Sequence, residues 1–388
     1  MTKVDVRSCI EELLKSTLTS FVNGSLELDL GFPTSYCSHL LLADSADSVA
    51  ATNSSGGDFD GVPAYPLYKR LAHALYESVT SGALYSGTED NLLFQVDDGV
   101  KQREGAWGKL MSDSGSALIN VLRKVDFELH VQEPFFSYLK DGLKVVEGRC
   151  ARGDYNRMGP GAYLLLNQCV MLEVQGVHRY DSFSEMLGSE GLSRVLPGVQ
   201  TVEEGVQVYR RFYTETEEKS FGVLAIQVQK PANQPVDFLA TILSGLSYAG
   251  IQHLLGLTHT VGTIPEALPP PKSVLLASFT LSCNPNVTGS VLTHGARALA
   301  KHASRDSSRY WGTSVGNDSE KNRQALDVLN KLLARCCWLN IHIVPPHGEV
   351  FEIRVADGHG ARWTKDGTQF IGFLEPYSED GHTKGWKH

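Results

Sequence analysis

Charged side chains are closely spaced in residues 140–157, where five basic residues stand among three acidic ones. If residues 144–149 form a strand, alternation places Lys144 on one face and both Glu147 and Arg149 on the other. A carboxylate beside a guanidinium can orient that guanidinium toward a phosphate or the edge of a nucleobase. Glu147 can also accept a hydrogen bond from an exocyclic amine such as that of cytosine. The stretch therefore predicts a polyanion site, although the same pair can simply close the mouth of a barrel.

The loop that follows, "ARGDYNRMGPG" at 151–161, is rich in hydrogen-bond donors and carries one aromatic side chain that can stack on a base. The alternative is an ordinary solvated loop. The predicted nucleic-acid-binding residues are Lys140, Lys144, Glu147, Arg149, Arg152, Tyr155 and Arg157. If the protein is an enzyme, the candidate catalytic residues are Lys144 and Glu147.

A second group of basic residues lies on a predicted helix that begins after Thr293, a good N-cap. At 100° per residue, its basic side chains fall within a sector of about 80°, opposite a face of alanine and leucine. These residues are His294, Arg297, Lys301 and Arg305. The stripe predicts a second contact surface for a nucleic-acid backbone, the alternative being a solvated helix face.

Histidines are concentrated near the end of the chain, where seven of the thirteen follow residue 290. No two of these seven have the four-residue spacing of paired zinc ligands on a helix. We therefore predict neither a metal site nor a cofactor.

Hydrophobic periodicity predicts helices at 9–24, 65–82 and 114–125, so that residues 1–125 form a mainly helical region. Residues 43–63 are rich in Ser, Asp, Ala and Gly, which predicts a flexible loop.

Residues 126–230 change to short strands with an inserted helical pair, a pattern typical of a small closed or nearly closed barrel. The apolar stretch 236–257 is interrupted by polar residues and predicts a buried or bridging helix rather than a membrane span. The proline-rich segment 264–272 predicts a domain boundary. Beyond it we expect an α+β module, read as strand, helix, helix, strand and a hairpin through Asp366-Gly367. The predicted regions are 1–125, 126–263 and 272–388.

Four segments in order resemble the ASCH family, a small domain related to the PUA fold. The first is "GLKVVEGR" at 142–149, which is similar to the Gly-x-Lys-x-x-(Glu/Thr)-x-Arg segment of the family. The others are a glycine-flanked strand entry at 158–167, a helical insert at 191–213 that ends in Tyr-x-x-Phe-Tyr, and a closing strand at 221–229. The resemblance covers about a quarter of the chain and leaves the N- and C-terminal regions unassigned.

The resemblance implies a five- or six-stranded PUA-like barrel whose cleft, lined by Lys144 and Arg149, holds RNA or a nucleotide. One bacterial branch of the family is an amidohydrolase of acetylated cytidine that uses Lys, Thr and Glu. Lys144 matches the lysine, but Glu147 stands at the threonine position and the glutamate position falls near Gly198. This departure from the pattern leaves open whether the protein is an enzyme.

Composition limits the class of protein. A chain of 388 residues exceeds one compact core, and 42% hydrophobic with 20% charged residues is ordinary for a folded globular protein. The net charge of −9 disfavours a globally basic nucleic-acid binder but allows a local basic patch. Seven cysteines without a Cys-x-x-Cys pair, and no secretory signal or membrane span, predict a cytoplasmic or nuclear protein.

The sequence thus predicts an α+β protein in which an ASCH-like barrel binds RNA or a nucleotide through a basic cleft. Two other functions fit the same residues: hydrolysis of a modified nucleoside in that cleft, and a protein-interaction scaffold. Protein partners are not indicated by any motif.

Overall fold

The computed structural model describes residues 5–25, 28–44, 61–85, 98–287, 291–305 and 309–376. By proximity, the chain forms two compact units: residues 1–20 with 114–241, and residues 21–113 with 242–388. The division into domains at 1–125, 126–263 and 272–388 stays a prediction. Most of the predicted flexible loop 43–63 lies outside the described residues.

The N-terminal part of the chain is helical, as expected. Its helices are α1 (Val6–Val22), α2 (Thr34–Leu41), α3 (Leu67–Ser81), α4 (Asp98–Leu110) and α5 (Ser116–Leu122), with a π-helical turn (Met111–Gly115) before α5. Helix α3 ends at Gly82 in the left-handed conformation, a common helix stop.

The middle of the chain forms a five-stranded sheet. Its strands are β1 (Val125–Leu129), β2 (Val146–Cys150), β3 (Tyr163–Leu166), β4 (Val170–Tyr180) and β5 (Val223–Gln229). They are ordered β1-β3-β4-β5-β2, with β1 parallel to β3 and the other pairs antiparallel. Strands β1 and β2 are the two edges and do not pair, so the sheet of residues 125–229 is not a closed barrel, which corrects that expectation.

Helices surround this sheet. They are α6 (Phe135–Lys140), α7 (Phe183–Glu190), α8 (Leu192–Val195), α9 (Val202–Arg210) and α10 (Glu215–Phe221), with a 3₁₀ turn at Gly153–Arg157. Capping boxes formed by Thr201 with Glu204 and by Thr214 with Glu217 start α9 and α10. The predicted insert is therefore longer than one helical pair.

Both faces of the sheet are covered by apolar clusters. Along β5, Leu224 and Ile226 pack into one cluster, whereas Val223 and Ala225 pack into the other. A strand buried on both faces reads as a continuous apolar run, which explains the sequence "VLAIQV".

Helix α11 (Pro235–Leu254) corresponds to the helix predicted at 236–257. It is interrupted at Ser247, whose φ of 54° is left-handed. Among the described residues, no helix has both the length and the apolarity needed to cross a bilayer.

The C-terminal module begins with a helix, α12 (Lys272–Thr280), where a strand was expected. A short apolar run fits either state, and tertiary packing decides between them. Here Phe279 packs so closely against Gly295 of the next helix that a Cβ on that glycine would lie 2.1 Å from the ring.

Two further helices and a four-stranded antiparallel sheet complete the module. They are α13 (His294–Ala303), α14 (Asp318–Arg335), β6 (Trp338–Val344), β7 (Gly348–Arg354), β8 (Gly360–Thr364) and β9 (Phe370–Leu374), with the strands in that order in the sheet. The predicted hairpin is confirmed: β8 pairs with β9. In its turn the Asp366 carboxylate accepts hydrogen bonds from Thr364 and Thr368.

Candidate functional site

Lys144 does not lie on the strand face that alternation predicts. Strand β2 starts only at Val146, and the Lys144 amide instead donates to the Tyr138 carbonyl at 3.0 Å. Because Lys144 lies outside the strand, its side chain can contact Glu147: Lys144 Nζ lies 3.3 Å from Glu147 Oε2. The expectation that Lys144 and Glu147 point to opposite faces is therefore wrong.

The Lys144 ammonium is internal. Only 2% of the residue is exposed, and Nζ donates to the carbonyl oxygens of Val146, at 2.7 Å, and Val195, besides its contact with Glu147. An ammonium has three N–H groups, so these three acceptors use them all. Burial lowers the pKa of Lys144 despite the opposing charge of Glu147. A phosphate could bind this ammonium only by displacing one of its internal partners.

Arg149 occupies the second position of the cluster. Its Nε donates to Glu147 Oε1 at 2.8 Å, and its Nη2 donates to the His130 carbonyl at 2.9 Å. The guanidinium also lies 5.8 Å from the ring centre of Tyr155, within cation–π range. Burial lowers the pKa of Arg149, but Glu147 and the nearby tyrosines outweigh it, so the pKa is raised overall and the side chain stays charged.

These charged groups share one cavity of about 190 Å³. Aromatic and aliphatic side chains form most of its wall. The lining residues are His130, Val131, Gln132, Phe135, Lys144, Glu147, Gly148, Arg149, Leu196, Val208, Tyr209, Phe212 and Tyr213. The arrangement combines a flat apolar surface with one carboxylate and one guanidinium, which can hydrogen-bond a planar ligand edge-on.

Gly148 permits the closest approach in this wall. A Cβ at this position would lie 2.4 Å from the Tyr209 hydroxyl oxygen and 2.9 Å from Met186 Cε. Tyr209 is fixed from the other side by Phe183, whose ring is stacked on it at 4.2 Å between centres. The buried Tyr209 hydroxyl has no hydrogen-bond partner among the described residues. Only glycine leaves room for this ring against β2.

The remaining predicted site residues do not line the cavity. Arg152 donates to Glu217 at 2.8 Å, and Arg157 donates to Asp154 at 3.3 Å, both with more than half of the side chain exposed. Lys140 lies 3.9 Å from Asp141. The Tyr155 ring contacts the Arg149 guanidinium from outside the cavity. The structure thus brings together Lys144, Glu147 and Arg149, and the part played by the others in binding stays a prediction.

The aromatic wall comes from residues that the sequence argument did not assign to the site. Tyr209, Phe212 and Tyr213 belong to the segment "YRRFY" that ends the helical insert. That segment is part of the resemblance to the ASCH family, but nothing local places it over β2. The signal was its unusual aromatic density in an otherwise charged stretch.

All four residues of the predicted basic stripe line one groove in the C-terminal module, of about 770 Å³. His302 on the same helix, His347 and Arg362 also face it. Arg297, Lys301 and Arg305 have no acidic partner within 4 Å among the described residues, so their charges are uncompensated locally. In those same residues, no cluster of three or more His, Cys, Asp or Glu side chains could hold a metal ion.

No curated protein matches the chain. Two solved structures are each 40% identical over 98% of their own length: "hypothetical protein PH0355", which covers 27% of this chain with a TM-score of 0.27, and "Protein PF0455 from Pyrococcus furiosus", which covers 28% with a TM-score of 0.26.

Two family models match. Residues 283–375 match the CdiA C-terminal tRNase toxin domain, in the region that sequence reasoning left unassigned. Residues 129–232 match the ASCH domain, and they include the whole cavity of Lys144, Glu147 and Arg149. The chain therefore belongs to the ASCH family through residues 129–232.

Proposed function

We propose that the ASCH domain binds RNA, or a free nucleotide, by enclosing a single nucleobase in the cavity of Lys144, Glu147 and Arg149. One observation carries the proposal: a carboxylate and a guanidinium lie side by side, at 2.8 Å, in a cavity walled by aromatic rings. Proteins that recognise single-stranded RNA stack bases on aromatic side chains and hydrogen-bond their edges.

The hydrogen-bonding capacity of the pair supports a base as the ligand. Arg149 has five N–H groups, more than the acceptors found for it, and the Glu147 carboxylate has room for a donor besides Lys144 and Arg149. The pair can thus offer a donor and an acceptor to one base edge. The cavity is smaller than the roughly 300–1,000 Å³ of drug-sized sites, which favours one base over a longer segment.

The internal ammonium changes the role expected for Lys144. Since all three of its N–H groups have partners, it holds the carboxylate in place rather than binding phosphate. Of the two cations Lys144 and Arg149, Arg149 is then the one that can contact a ligand.

Substitution of Phe212 tests this proposal directly, because Phe212 lines the cavity and is 43% exposed. Replacing Phe212 with alanine should weaken RNA binding about 5- to 150-fold, since stacking contributes about 1–3 kcal/mol per base. Binding of the full chain to single-stranded RNA oligonucleotides and to the four nucleoside monophosphates, followed by fluorescence anisotropy and calorimetry, measures the effect.

Phe221 offers a matched control. It is a phenylalanine of the same domain, 40% exposed, and it does not line the cavity. Phe221→Ala should leave binding unchanged. Equal affinity of the Phe212→Ala and Phe221→Ala variants would contradict binding in this cavity, and no RNA retained at low salt would favour a scaffold role.

Hydrolysis of a modified nucleoside remains the alternative for the same cavity. A buried lysine whose pKa is lowered can act as a base, and Lys144 has that property beside Glu147. Release of acetate from acetylated cytidine by the wild-type chain would favour this alternative, whereas binding without turnover favours recognition alone.

A second candidate function is RNA cleavage by the C-terminal module. The match of residues 283–375 to a tRNase toxin domain supports RNA as the substrate of this proposed activity. The basic groove supports it, because Arg297, Lys301 and Arg305, which have no acidic partner among the residues that the structure describes, lie where a phosphate backbone can neutralise them.

The charge of the groove can be tested by the double substitution Arg297→Ala/Arg305→Ala. It should weaken binding of transfer RNA uniformly across sequences and reduce the slope of log affinity against log salt by about 2. The control double variant Lys321→Ala/Arg323→Ala removes two charges from α14, outside the groove, and should leave the slope unchanged. Equal slopes for the two variants would count against the groove as the RNA surface.

A further inference from the structure

One carboxylate in the C-terminal module holds two histidines. Glu375 Oε1 lies 2.7 Å from His302 Nδ1 and accepts a hydrogen bond from Trp311 Nε1 at 2.8 Å. Its other oxygen lies 3.4 Å from His359 Nε2. Such a carboxylate fixes both the orientation and the tautomer of the imidazoles that it contacts.

The Glu375 carboxylate is ionised at neutral pH. Burial raises its pKa, but hydrogen bonds from His302, His359 and Trp311 outweigh burial and bring the pKa to about 2. An ionised carboxylate only accepts hydrogen bonds, so Nδ1 of His302 must carry the proton. In the neutral ring, Nε2 of His302 is then the nitrogen with a free lone pair.

The two histidines differ in what surrounds them. Both nitrogens of His359 are occupied, by Asp357 at 2.9 Å and by Glu375, and its ring stacks on Tyr310 at 3.4 Å between centres. His302 instead lines the basic groove, and its Nε2 has no hydrogen-bond partner among the described residues. Trp311 and Phe373 hold the His302 ring, with ring centres 5.3 and 6.0 Å away.

We propose that His302 is the general base of RNA cleavage in the basic groove and that Glu375 is its positioning residue; this inference rests on the proposed ribonuclease function. His302 Nε2 takes the proton of a ribose 2′-hydroxyl. The 2′-oxygen bonds to the adjacent phosphorus, the bond from phosphorus to the 5′-oxygen breaks, and the 5′-oxygen takes a proton from water. The products are a 2′,3′-cyclic phosphate and a 5′-hydroxyl, and His302 returns its proton to solvent.

The cations around His302 suit this step. Lys301 and Arg297 lie on the same helix and Arg362 on β8, and all three line the same groove. Positive groups placed at a phosphate stabilise the negative charge that grows on it during displacement. His294 and His347 also face the groove, but both are exposed and neither has a carboxylate partner among the described residues. The geometry therefore singles out His302.

The test compares histidine variants of the full chain on a single-stranded RNA oligonucleotide and on transfer RNA. His302→Ala should slow cleavage about 10²- to 10⁴-fold, the usual contribution of a general base, while RNA affinity changes by less than threefold. Added imidazole should restore part of the rate in this variant, which a merely structural role would not allow. Glu375→Gln should slow cleavage without abolishing it, and His294→Ala and His347→Ala, which keep the base in place, should slow cleavage far less than His302→Ala does.

The outcomes separate the two levels of the proposal. If the wild-type chain cleaves neither RNA, the ribonuclease function fails and the assignment of His302 fails with it. If the wild type cleaves and His302→Ala cleaves equally fast, or His347→Ala is the inactive variant, only the assignment is overturned. Products with 5′-phosphate ends, or cleavage of the all-deoxy oligonucleotide of the same sequence, would overturn the 2′-hydroxyl step. Cyclic phosphate ends detected by mass spectrometry would support it.

Discussion

Replacing Lys144 with methionine is expected to lower the free energy of unfolding of the ASCH domain by about 3–5 kcal/mol, the usual cost of breaking a buried ion pair from one side. Methionine fills a similar volume but donates no hydrogen bonds. The carbonyl oxygens of Val146 and Val195 would lose their donor, and Glu147 would keep only Arg149 as a charged partner. Unsatisfied buried acceptors cost about 1–3 kcal/mol each, which supports the size of the effect.

The unfolding of the Lys144→Met variant must be measured with a probe that lies in the ASCH domain. All five tryptophans lie outside residues 114–241, so tryptophan fluorescence does not follow the ASCH domain. The unfolding of this domain can instead be followed by hydrogen exchange of the β2 and β5 amides, measured by mass spectrometry at increasing urea concentrations. Lys140→Met is the matched control, because the ion pair of Lys140 with Asp141 is partly exposed and its loss should cost less than about 1 kcal/mol. Equal protection in the two variants would mean that the buried ammonium contributes nothing to stability.

The position of Lys144 also shows what local sequence rules miss. Strand alternation correctly pairs Glu147 with Arg149, because both lie within β2. It fails for Lys144 because the Lys144 amide donates to the Tyr138 carbonyl of α6 rather than to a neighbouring strand, and the next amide, that of Val145, donates to the Arg194 carbonyl. Where a strand begins depends on tertiary partners, and a shift of two residues changes which side chains meet.

Long-range packing explains the other differences between prediction and structure. Residues 272–280 are apolar enough for a strand or a helix, and contact with Gly295 on the next helix accompanies the helical outcome. The aromatic wall of the cavity lies some sixty residues from β2 in sequence, so no local pattern could assign it to the site. By contrast, the basic stripe of α13 depends only on helical periodicity, and its members do line one groove.

The same limit applies to the groove's chemistry. Helical periodicity predicts four of the basic residues of the groove, but it does not distinguish His302 from the other histidines. What distinguishes His302 is the contact of its Nδ1 atom with Glu375, which follows β9 in the fold. Pairs of an acid and an imidazole that are distant in sequence carry no signal in a single chain. The structure supplies the orientation that distinguishes His302 from His294 and His347.

A buried carboxylate also organises the interior of the C-terminal sheet. Glu352, 2% exposed, accepts from Arg354 Nε at 2.6 Å and from Arg362 Nε and Nη2 at 2.8 and 2.7 Å, and lies 3.3 Å from His342. Burial raises the pKa of Glu352, but the hydrogen bond with His342 and the charges of the two arginines outweigh it and bring the pKa to about 2. Arg362 is thereby held in the wall of the groove.

Replacing Glu352 with glutamine is therefore expected to lower the free energy of unfolding by about 3–5 kcal/mol at pH 7, because it leaves two buried guanidinium groups without their counter-charge. Urea unfolding followed by tryptophan fluorescence reports on this change, since Trp338 and Trp363 lie in the same sheet. Glu349→Gln is the matched control on β7: Glu349 is half exposed and, in the described part of the chain, forms an ion pair only with Lys365, so its loss should cost less than about 1 kcal/mol.

The pH dependence of unfolding gives an independent check on the same carboxylate. A glutamate whose folded pKa is about 2, against 4.5 for the free side chain, contributes stability that is fully present above pH 4.5 and is lost as the pH falls toward 2. The shift corresponds to about 3 kcal/mol. Over this range the wild-type urea midpoint should fall steeply, and the Glu352→Gln midpoint should fall less. The remaining fall comes in part from Glu375, whose pKa is also about 2, and from Asp366, whose pKa is lowered by hydrogen bonds from Thr364 and Thr368. Parallel midpoints for the two proteins between pH 4.5 and 2 would show that Glu352 is not held ionised by its arginines, and the anchoring of Arg362 in the groove would then need another cause.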